Sequence, residues 1–181
     1  MKNIAIIGAG PAGYPCALKA AKLGAKVTLI ESAELGGVCL NCGCIPSKAL
    51  LAGAHRFSMV RELSKYSSKP ALGEEYFKSL SFAKLQEDRK ATVLKLRGGI
   101  LKMLEAAGVK VIKGKAKFVS QNTLEAGGEI LTFDDIVIAT GSRAFLPEQF
   151  EDIKDKIYDN STIFNRSEEH TSELQSLAYL V

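Results

Sequence analysis

The start of the chain places glycines at a fixed spacing between two apolar runs. The run "KNIAII" is followed by "GAGPAG", in which Gly8, Gly10 and Gly13 make the spacing G-x-G-x-x-G. An apolar run that stops at glycines predicts a buried strand ending in a tight turn. Pro11 suits the first turn of a helix, which we expect to stop at Gly24. The order strand, glycine turn, helix and strand predicts a βαβ unit in a parallel sheet.

This glycine spacing predicts a nucleotide site. The first glycine allows the turn, the second lets a pyrophosphate approach the backbone, and the third lets helix and strand pack closely. The helix N-terminus then offers N–H groups and a partial positive charge to phosphates. The second apolar run, "AKVTLIE", ends at Glu31, where an acid can accept hydrogen bonds from a ribose hydroxyl. The motif does not separate FAD from NAD, and a glycine turn without a ligand is the alternative.

Three of the four cysteines lie in one segment, "GGVCLNCGCIPSKALL". Such a cluster indicates redox or metal chemistry rather than a secreted disulfide framework. Five residues of regular helix rise about 7.5 Å, so Cys39 and Cys44 cannot form a disulfide inside one. Gly43 can relax the backbone there, and Ile45 resists the helical conformation because it precedes Pro46.

We therefore expect distorted backbone that leads into a helix at Pro46, with Cys44 near its positive end. That position favours a thiolate, and a closely spaced pair on strained backbone suits a reducible, catalytic disulfide. The third thiol, Cys42, leaves an alternative open, in which Cys39, Cys42, Cys44 and His55 bind zinc. Because this spacing fits no common structural zinc pattern, we expect no metal.

The rest of the chain alternates between helical and extended patterns. We expect a helix over 47–63, a loop over 65–79, and a helix from Phe82 to Ala107 that is capped by Ser81 and stopped by Gly108. Short strands follow at 109–114, 116–120, 123–126 and 129–133, with a hairpin turn at 127–128, and a buried strand at 135–142 ends in a glycine turn. The predicted apolar stripe of the long helix consists of Phe82, Leu85, Thr92, Val93, Leu96, Ile100, Met103 and Leu104.

Composition indicates an ordinary globular protein of about one domain, since the 181 residues are 46% hydrophobic and 24% charged. The net charge of +4 comes without a long basic run, so the sequence gives no support for a nucleic-acid partner. The early apolar stretch is too short to span a membrane, and the start of the chain lacks a secretory pattern. We expect a cytoplasmic protein with no membrane segment.

The end of the chain, residues 166–181, shows no helical or strand period. All eleven residues of "RSEEHTSELQS" match the in-frame translation of a common sequencing-library adapter. A polar terminus is usually a genuine tail, but a match of this length favours a non-native one. We expect this tail to lie outside the fold and the chain to be a fragment.

The cysteine segment resembles the redox segment of the class I pyridine nucleotide-disulfide oxidoreductases, the flavin disulfide reductases. "IAIIGAGPAGY" and "IVIATGS" are similar to segments of the same family, and the resemblance covers nearly all of residues 1–146. Within the family, "CLN" and "GCIPSKALL" are most similar to the dihydrolipoyl dehydrogenases. The resemblance implies an α/β fold, a Rossmann-like FAD/NAD(P)-binding domain with a central parallel sheet, helices and a small antiparallel β-meander.

The resemblance also implies roles for single residues. Cys39 would be the interchange thiol, Cys44 the charge-transfer thiolate against the flavin, and Lys48 a neighbour of the flavin N5. Cys42 stands where the family usually has no thiol, so a mispaired bridge to Cys39 or Cys44 stays open. The residues that the resemblance assigns to FAD binding are Gly8, Gly10, Pro11, Ala12, Gly13, Glu31, Gly37, Val38, Cys39, Cys44, Lys48, Ala116, Ala139, Thr140 and Gly141.

The implied domain order is an incomplete FAD-binding domain at 1–146, the start of a connection to a nicotinamide domain at 147–165, and the tail. In the full-length enzyme, a homodimer, electrons would pass from dihydrolipoyl groups of 2-oxoacid dehydrogenase or glycine cleavage complexes to the 39–44 disulfide, then to FAD and then to NAD. The fragment alone is expected to be inactive. Two alternatives stay open, a truncated non-catalytic flavin- or nucleotide-binding module and a related reductase with another disulfide substrate.

Overall fold

The structure, a computed structural model, describes residues 1–66 and 81–165. Most of the predicted loop at 65–79 and all of the tail at 166–181 lie outside the described residues. The helices are α1 (Gly13–Lys22), α2 (Gly37–Cys42), α3 (Cys44–Ser64) and α4 (Phe82–Ala106), followed by 3-10 helices at Glu148–Lys156 and Ile163–Asn165. The strands are β1 (Asn3–Ile7), β2 (Lys26–Glu31), β3 (Lys110–Lys113), β4 (Lys117–Ser120), β5 (Thr123–Ala126), β6 (Glu129–Thr132) and β7 (Asp135–Ile138).

Within the described residues, the sheets confirm the predicted fold class. The central sheet has the order β3-β2-β1-β7, and all its pairs are parallel. Strands β4, β5 and β6 form an antiparallel meander, with positive φ at both glycines of the predicted hairpin turn, Gly127 and Gly128. The first βαβ unit is present as predicted, because α1 joins β1 to its parallel neighbour β2.

The central sheet is covered on both faces. Because side chains alternate along a strand, Ile6 and Leu29 face α1 and α4, where they pack with Ala17 and Leu104. Ala5 belongs to the opposite face, which packs against the meander; the other buried members of that cluster are Ile30, Ile112, Leu124, Ala126 and Phe133. The glycine turn after β1 is thus held by a core on each side of the sheet.

The predicted apolar stripe of α4 is only partly correct. Val93, Ile100 and Leu104 are buried, whereas Leu96 and Met103 are 42% and 48% exposed. The helix ends are as predicted, since the Ser81 hydroxyl accepts the Lys84 N–H and α4 stops before Gly108, whose φ is +71°.

The predicted last strand is shorter than expected and is not buried. β7 ends at Ile138, and this residue is 65% exposed. The physical reason is position: β7 is an outer strand of the described sheet, so its outer edge has no neighbouring strand there.

The helix that carries the cysteine segment begins earlier than predicted. α3 starts at Cys44 rather than at Pro46, so Ile45 is helical although it precedes a proline. The distortion of the backbone lies at Gly43, as predicted, where a φ of −146° and a ψ of −110° separate α2 from α3. A proline within the first turn costs no intrahelical bond, which explains why the helix can start before it.

One described segment, Gly37–Ser64, is long and apolar enough to cross a membrane by length and composition alone. It is not a continuous helix, because Gly43 divides it. Length and composition are weak evidence for a membrane span, so the expected lack of one stays a prediction.

Candidate dinucleotide and redox site

The glycine turn after β1 leaves no room for side chains at two of its positions. A Cβ on Gly8, whose φ is +101°, would lie 2.3 Å from the carbonyl oxygen of Ala139. A Cβ on Gly13 would lie 1.7 Å from the carbonyl oxygen of Gly8. Gly13 therefore lets α1 pack directly against the turn, as the motif predicts. Pro11 and Ala12 are exposed between these close contacts.

The second motif glycine, Gly10, lies against the start of the cysteine segment. A Cβ on Gly37 would lie 2.6 Å from the Cα of Gly10, and the N–H of Gly36 donates to the carbonyl of Ala9 at 2.9 Å. The dinucleotide turn and the loop that opens α2 are therefore in direct backbone contact. Val38, the next residue of α2, is 47% exposed beside this contact.

Glu31 connects the ends of three strands. One carboxylate oxygen accepts the N–H of Ala9 at 2.6 Å and the other accepts the N–H of Ala33 at 2.8 Å. The carbonyl of Glu31 accepts the N–H of Gly114, the residue that follows β3, at 2.8 Å. Each carboxylate oxygen keeps a further lone pair, so Glu31 can still accept a ribose hydroxyl as predicted.

A cleft of about 400 Å³ opens beside Glu31. Its walls come from the loop after β2, from α4 and from β3; they include Glu34, Leu35, Arg97, Leu101 and Lys113. The backbone suits the pyrophosphate of FAD, because the glycine turn after β1 forms a cradle that a Cβ on Gly8 or Gly13 would fill.

The remaining predicted FAD residues occupy two other loops. Ala116 is half-buried between β3 and β4 and packs against the core on the meander side. Ala139 donates its N–H to Ile7 at 2.8 Å, which places it beside the glycine turn. Thr140 and Gly141 follow it and are exposed, with φ of +68° at Gly141.

The structure brings Cys39 and Cys44 together across the break at Gly43. Cys39 lies in α2, and Cys44 is the first residue of α3, at the N-terminus of that helix. The two side chains are within hydrogen-bonding reach, and the thiol of Cys44 raises the pKa of the Cys39 thiol above its usual value. Burial raises this pKa further, whereas the N–H of Cys44 and the charge of Lys48 lower it.

The other thiols are not joined to this pair. All four cysteines are free, and the Sγ of Cys42 accepts the Asn160 side-chain amide at 3.8 Å. Cys16 lies on α1 and is half-buried against the core. Among residues 1–66 and 81–165, no group of three or more His, Cys, Asp or Glu side chains could hold a metal ion. The zinc alternative with His55 therefore gains no support.

Sequence reasoning missed a polar link between α4 and α2. Arg97 donates to Glu34 at 2.8 Å and to the side-chain oxygen of Asn41 at 2.6 Å. Asn41 stands inside the "CLN" segment, in which only the cysteine carries a recognisable redox signal. Arg97 carried no recognisable signal, because 56 residues separate it from Asn41.

These features define a class of redox flavoprotein, and comparison with known proteins agrees. The family model "Pyridine nucleotide-disulphide oxidoreductase" matches residues 2–178. The chain belongs to this family of flavoprotein disulfide oxidoreductases, whose members use FAD.

Two bacterial dihydrolipoyl dehydrogenases are among its relatives. The chain is 41% identical to that of Geobacillus stearothermophilus over 90% of its length, and 46% identical to that of Bacillus subtilis over 76%. It spans 34% and 29% of these relatives, or about a third of their length. Among solved structures, the Cu(II) complex of the HOCl-induced flavoprotein disulfide reductase RclA from Escherichia coli matches with a TM-score of 0.70. That match has 26% identity and covers 91% of this chain and 34% of RclA.

Proposed function

We propose that the chain is the FAD-binding and redox-disulfide portion of a dihydrolipoyl dehydrogenase. The observation that carries this proposal is the placement of Cys39 and Cys44, within reach of each other across Gly43, on a segment whose first residue abuts Gly10 of the dinucleotide turn. The identity of 41–46% to the two dihydrolipoyl dehydrogenases supports the choice within the family.

The cysteine pair would carry out a thiol–disulfide exchange. In the oxidised protein, one thiolate of the dihydrolipoyl group attacks the Sγ of Cys39, and the bond to Cys44 breaks to leave a Cys44 thiolate. The second substrate thiolate attacks the substrate sulfur bound to Cys39, which forms the lipoyl disulfide and releases Cys39 as a thiolate. The two protons of the substrate dithiol leave with the solvent or a base, and the electron pair of the dithiol now resides on the cysteines.

The chain's own residues would prepare this chemistry. The start of α3 would present its free backbone N–H groups to the Cys44 sulfur, and the charge of Lys48 lowers the pKa of Cys39. Gly8, Gly10 and Gly13 with Glu31 would hold the adenosine diphosphate half of FAD, and the loop from Ala139 to Gly141 would lie by the ring. When bound, FAD supplies a two-electron acceptor that NAD can reoxidise.

The proposal extends to the whole protein. The remaining two thirds would supply the NAD site and the homodimer contacts, and the partners would be dihydrolipoyl groups of 2-oxoacid dehydrogenase or glycine cleavage complexes in the cytoplasm. A second candidate, a flavin reductase with another disulfide substrate, is supported by the structural likeness to RclA. A non-catalytic flavin module is the third.

The test is anaerobic flavin reduction. The chain and a full-length protein that contains it would each be loaded with FAD and mixed with dihydrolipoamide, while flavin absorbance is followed. Bleaching of the full-length protein, abolished by Cys39→Ser, would support the proposal. Bleaching only with another dithiol would favour the second candidate, and no bleaching with any dithiol would favour the module.

A further inference from the structure

Arg97 lies between α2, which carries Cys39 and Cys42, and the cleft beside Glu31. This cleft is called the adenosine-side cleft, because Glu31 is expected to bind the ribose of FAD. From α4, one terminal nitrogen donates to Glu34 at 2.8 Å and the other to Asn41 at 2.6 Å. The side chain is only 27% exposed, and it also lines the cleft beside Glu31. One side chain therefore contacts the loop after β2, α2 and the cleft.

Asn41 passes this contact on to the backbone. Its side-chain amide donates to the carbonyl of Leu35 at 3.0 Å and to that of Gly37 at 2.9 Å. Arg97 holds the side-chain oxygen of Asn41, which fixes the direction in which its amide points. Asn41 therefore links the guanidinium of Arg97 to the backbone of Leu35 and Gly37, where the loop before α2 meets the helix.

Gly36 and Gly37, at the start of α2, contact the glycine turn after β1. Gly36 donates to Ala9, and Gly37 stands against Gly10 so closely that a Cβ on Gly37 would lie 2.6 Å from the Cα of Gly10. Asn41 itself lies in α2 between Cys39 and Cys42. Loss of the Arg97–Asn41 hydrogen bond would therefore displace both the glycine turn after β1 and α2, the helix that carries Cys39.

A guanidinium suits this position better than an ammonium would. Its planar fork can donate to Glu34 and Asn41 at the same time, which a single lysine nitrogen cannot do with the same geometry. The Nε of Arg97 is buried and has no hydrogen-bond partner among the described residues. The two terminal nitrogens therefore hold the group in place.

We infer that Arg97 is a positioning residue that couples occupancy of the adenosine-side cleft to the placement of Cys39 in α2. The inference rests on the proposed function, because the ligand expected in the cleft is the adenosine diphosphate half of FAD. By linkage, a ligand that tightens the Arg97 link must bind more weakly when the link is broken.

The experiment uses the chain as it stands, with ADP as the probe. Arg97→Met and Asn41→Leu break this series of hydrogen bonds at different residues without adding a charge beside Cys39, since leucine can neither accept from Arg97 nor donate to Leu35 and Gly37. Each should weaken ADP binding about tenfold, the equivalent of one hydrogen bond. The double variant should lose no more than either single variant, because both act on one network.

A second readout separates positioning from general stability. The pH midpoint for alkylation of Cys39, which Cys44 and Lys48 control, should fall in both variants as α2 moves away from Cys44. Lys95→Met, which removes another cation of α4, is the matched control and should leave binding and midpoint unchanged. Arg97→Lys should keep the thermal midpoint but not restore ADP affinity.

Two results would overturn the inference. One is additive losses in the double variant, and the other is an unchanged Cys39 midpoint in folded Asn41→Leu, which keeps the test decisive if Arg97→Met does not fold. Failure of the wild-type chain to bind ADP would instead count against the proposed function, and the alkylation readout without ligand would still decide the role of Arg97.

Discussion

Gly8 and Ala139 meet so closely that a Cβ on Gly8 would lie 2.3 Å from the carbonyl oxygen of Ala139. The contact joins the turn after β1 to the residue after β7, and the N–H of Ala139 donates to Ile7 at 2.8 Å beside it. The glycine turn is therefore shaped by the residues that follow β1 and by those that follow β7.

Gly8→Ala should destabilise the chain by about 3 kcal/mol, the sum of left-handed strain and a backbone overlap that cannot relax. Gly24 is the matched control, because its φ is also positive, +86°, but nothing lies within 4 Å of its Cβ position. Gly24→Ala should cost about 1 kcal/mol, from strain alone. Urea denaturation measures both values, and equal losses would show that the Ala139 contact carries no penalty.

Glu31→Gln should lower the free energy of unfolding by about 2 kcal/mol, because a charged acceptor of two backbone N–H groups is lost. The amide nitrogen of glutamine would face either Ala9 or Ala33, each of which presents a donor. The same variant should weaken ADP binding. Glu125→Gln, an exposed change on β5, serves as control, and an equal stability of the two variants would contradict the role of Glu31.

Cys44→Ala should lower the pH at which Cys39 becomes reactive. The Cys44 thiol is the largest cause of the raised pKa of Cys39, while the N–H at position 44 and the Lys48 charge, which lower it, remain in the variant. Without this contribution, which raises the pKa, the Cys39 thiolate forms at lower pH. Iodoacetamide labelling of Cys39 across pH measures the midpoint, and a rise on substitution would refute the assignment.

Cys42→Ser should leave the redox pair intact. Peptide mapping of the oxidised protein should find the link between Cys39 and Cys44, since closing the short loop between Cys42 and Cys44 would strain a bridge. In the full-length enzyme, dithiol-driven flavin reduction should stay within about tenfold, less than about 1.4 kcal/mol of barrier. If Cys42→Ser stops turnover and Cys39→Ser does not, the roles assigned to Cys39 and Cys42 are wrong.

The isolated chain should bind FAD little better than ADP. Thr140 and Gly141 are exposed where the flavin ring is expected, whereas the adenosine side has a formed cleft. We expect the two dissociation constants to agree within about tenfold, since a solvent-exposed ring gains little from burial. Calorimetric titration compares them, and tight stoichiometric flavin on the purified chain would contradict this expectation.

Local patterns predicted the βαβ unit, the meander and the break at Gly43, because each depends on neighbours in sequence. The prediction that Leu96, Met103 and Ile138 are buried was wrong, since burial depends on which element covers a residue. The predicted start of α3 at Pro46 was wrong by two residues, because Ile45 is helical although a residue before proline usually avoids that conformation. The Arg97–Asn41 bond had no sequence signal, because a pair of polar side chains far apart in sequence follows from packing alone.

The pairing of β1 with β7 has a consequence for synthesis. The N–H of Asn3 donates to Asp134 across 131 positions of sequence, and β1 lacks its neighbour β7 until that stretch has been synthesised. At ribosomal speeds of about 5 to 20 residues per second, that interval lasts roughly 7 to 26 s. Until then, one edge of β1 presents unpaired N–H and C=O groups, which are templates for pairing with other chains. The nascent protein is therefore expected to depend on chaperones during this interval, and Asn3 and Asp134 mark its end.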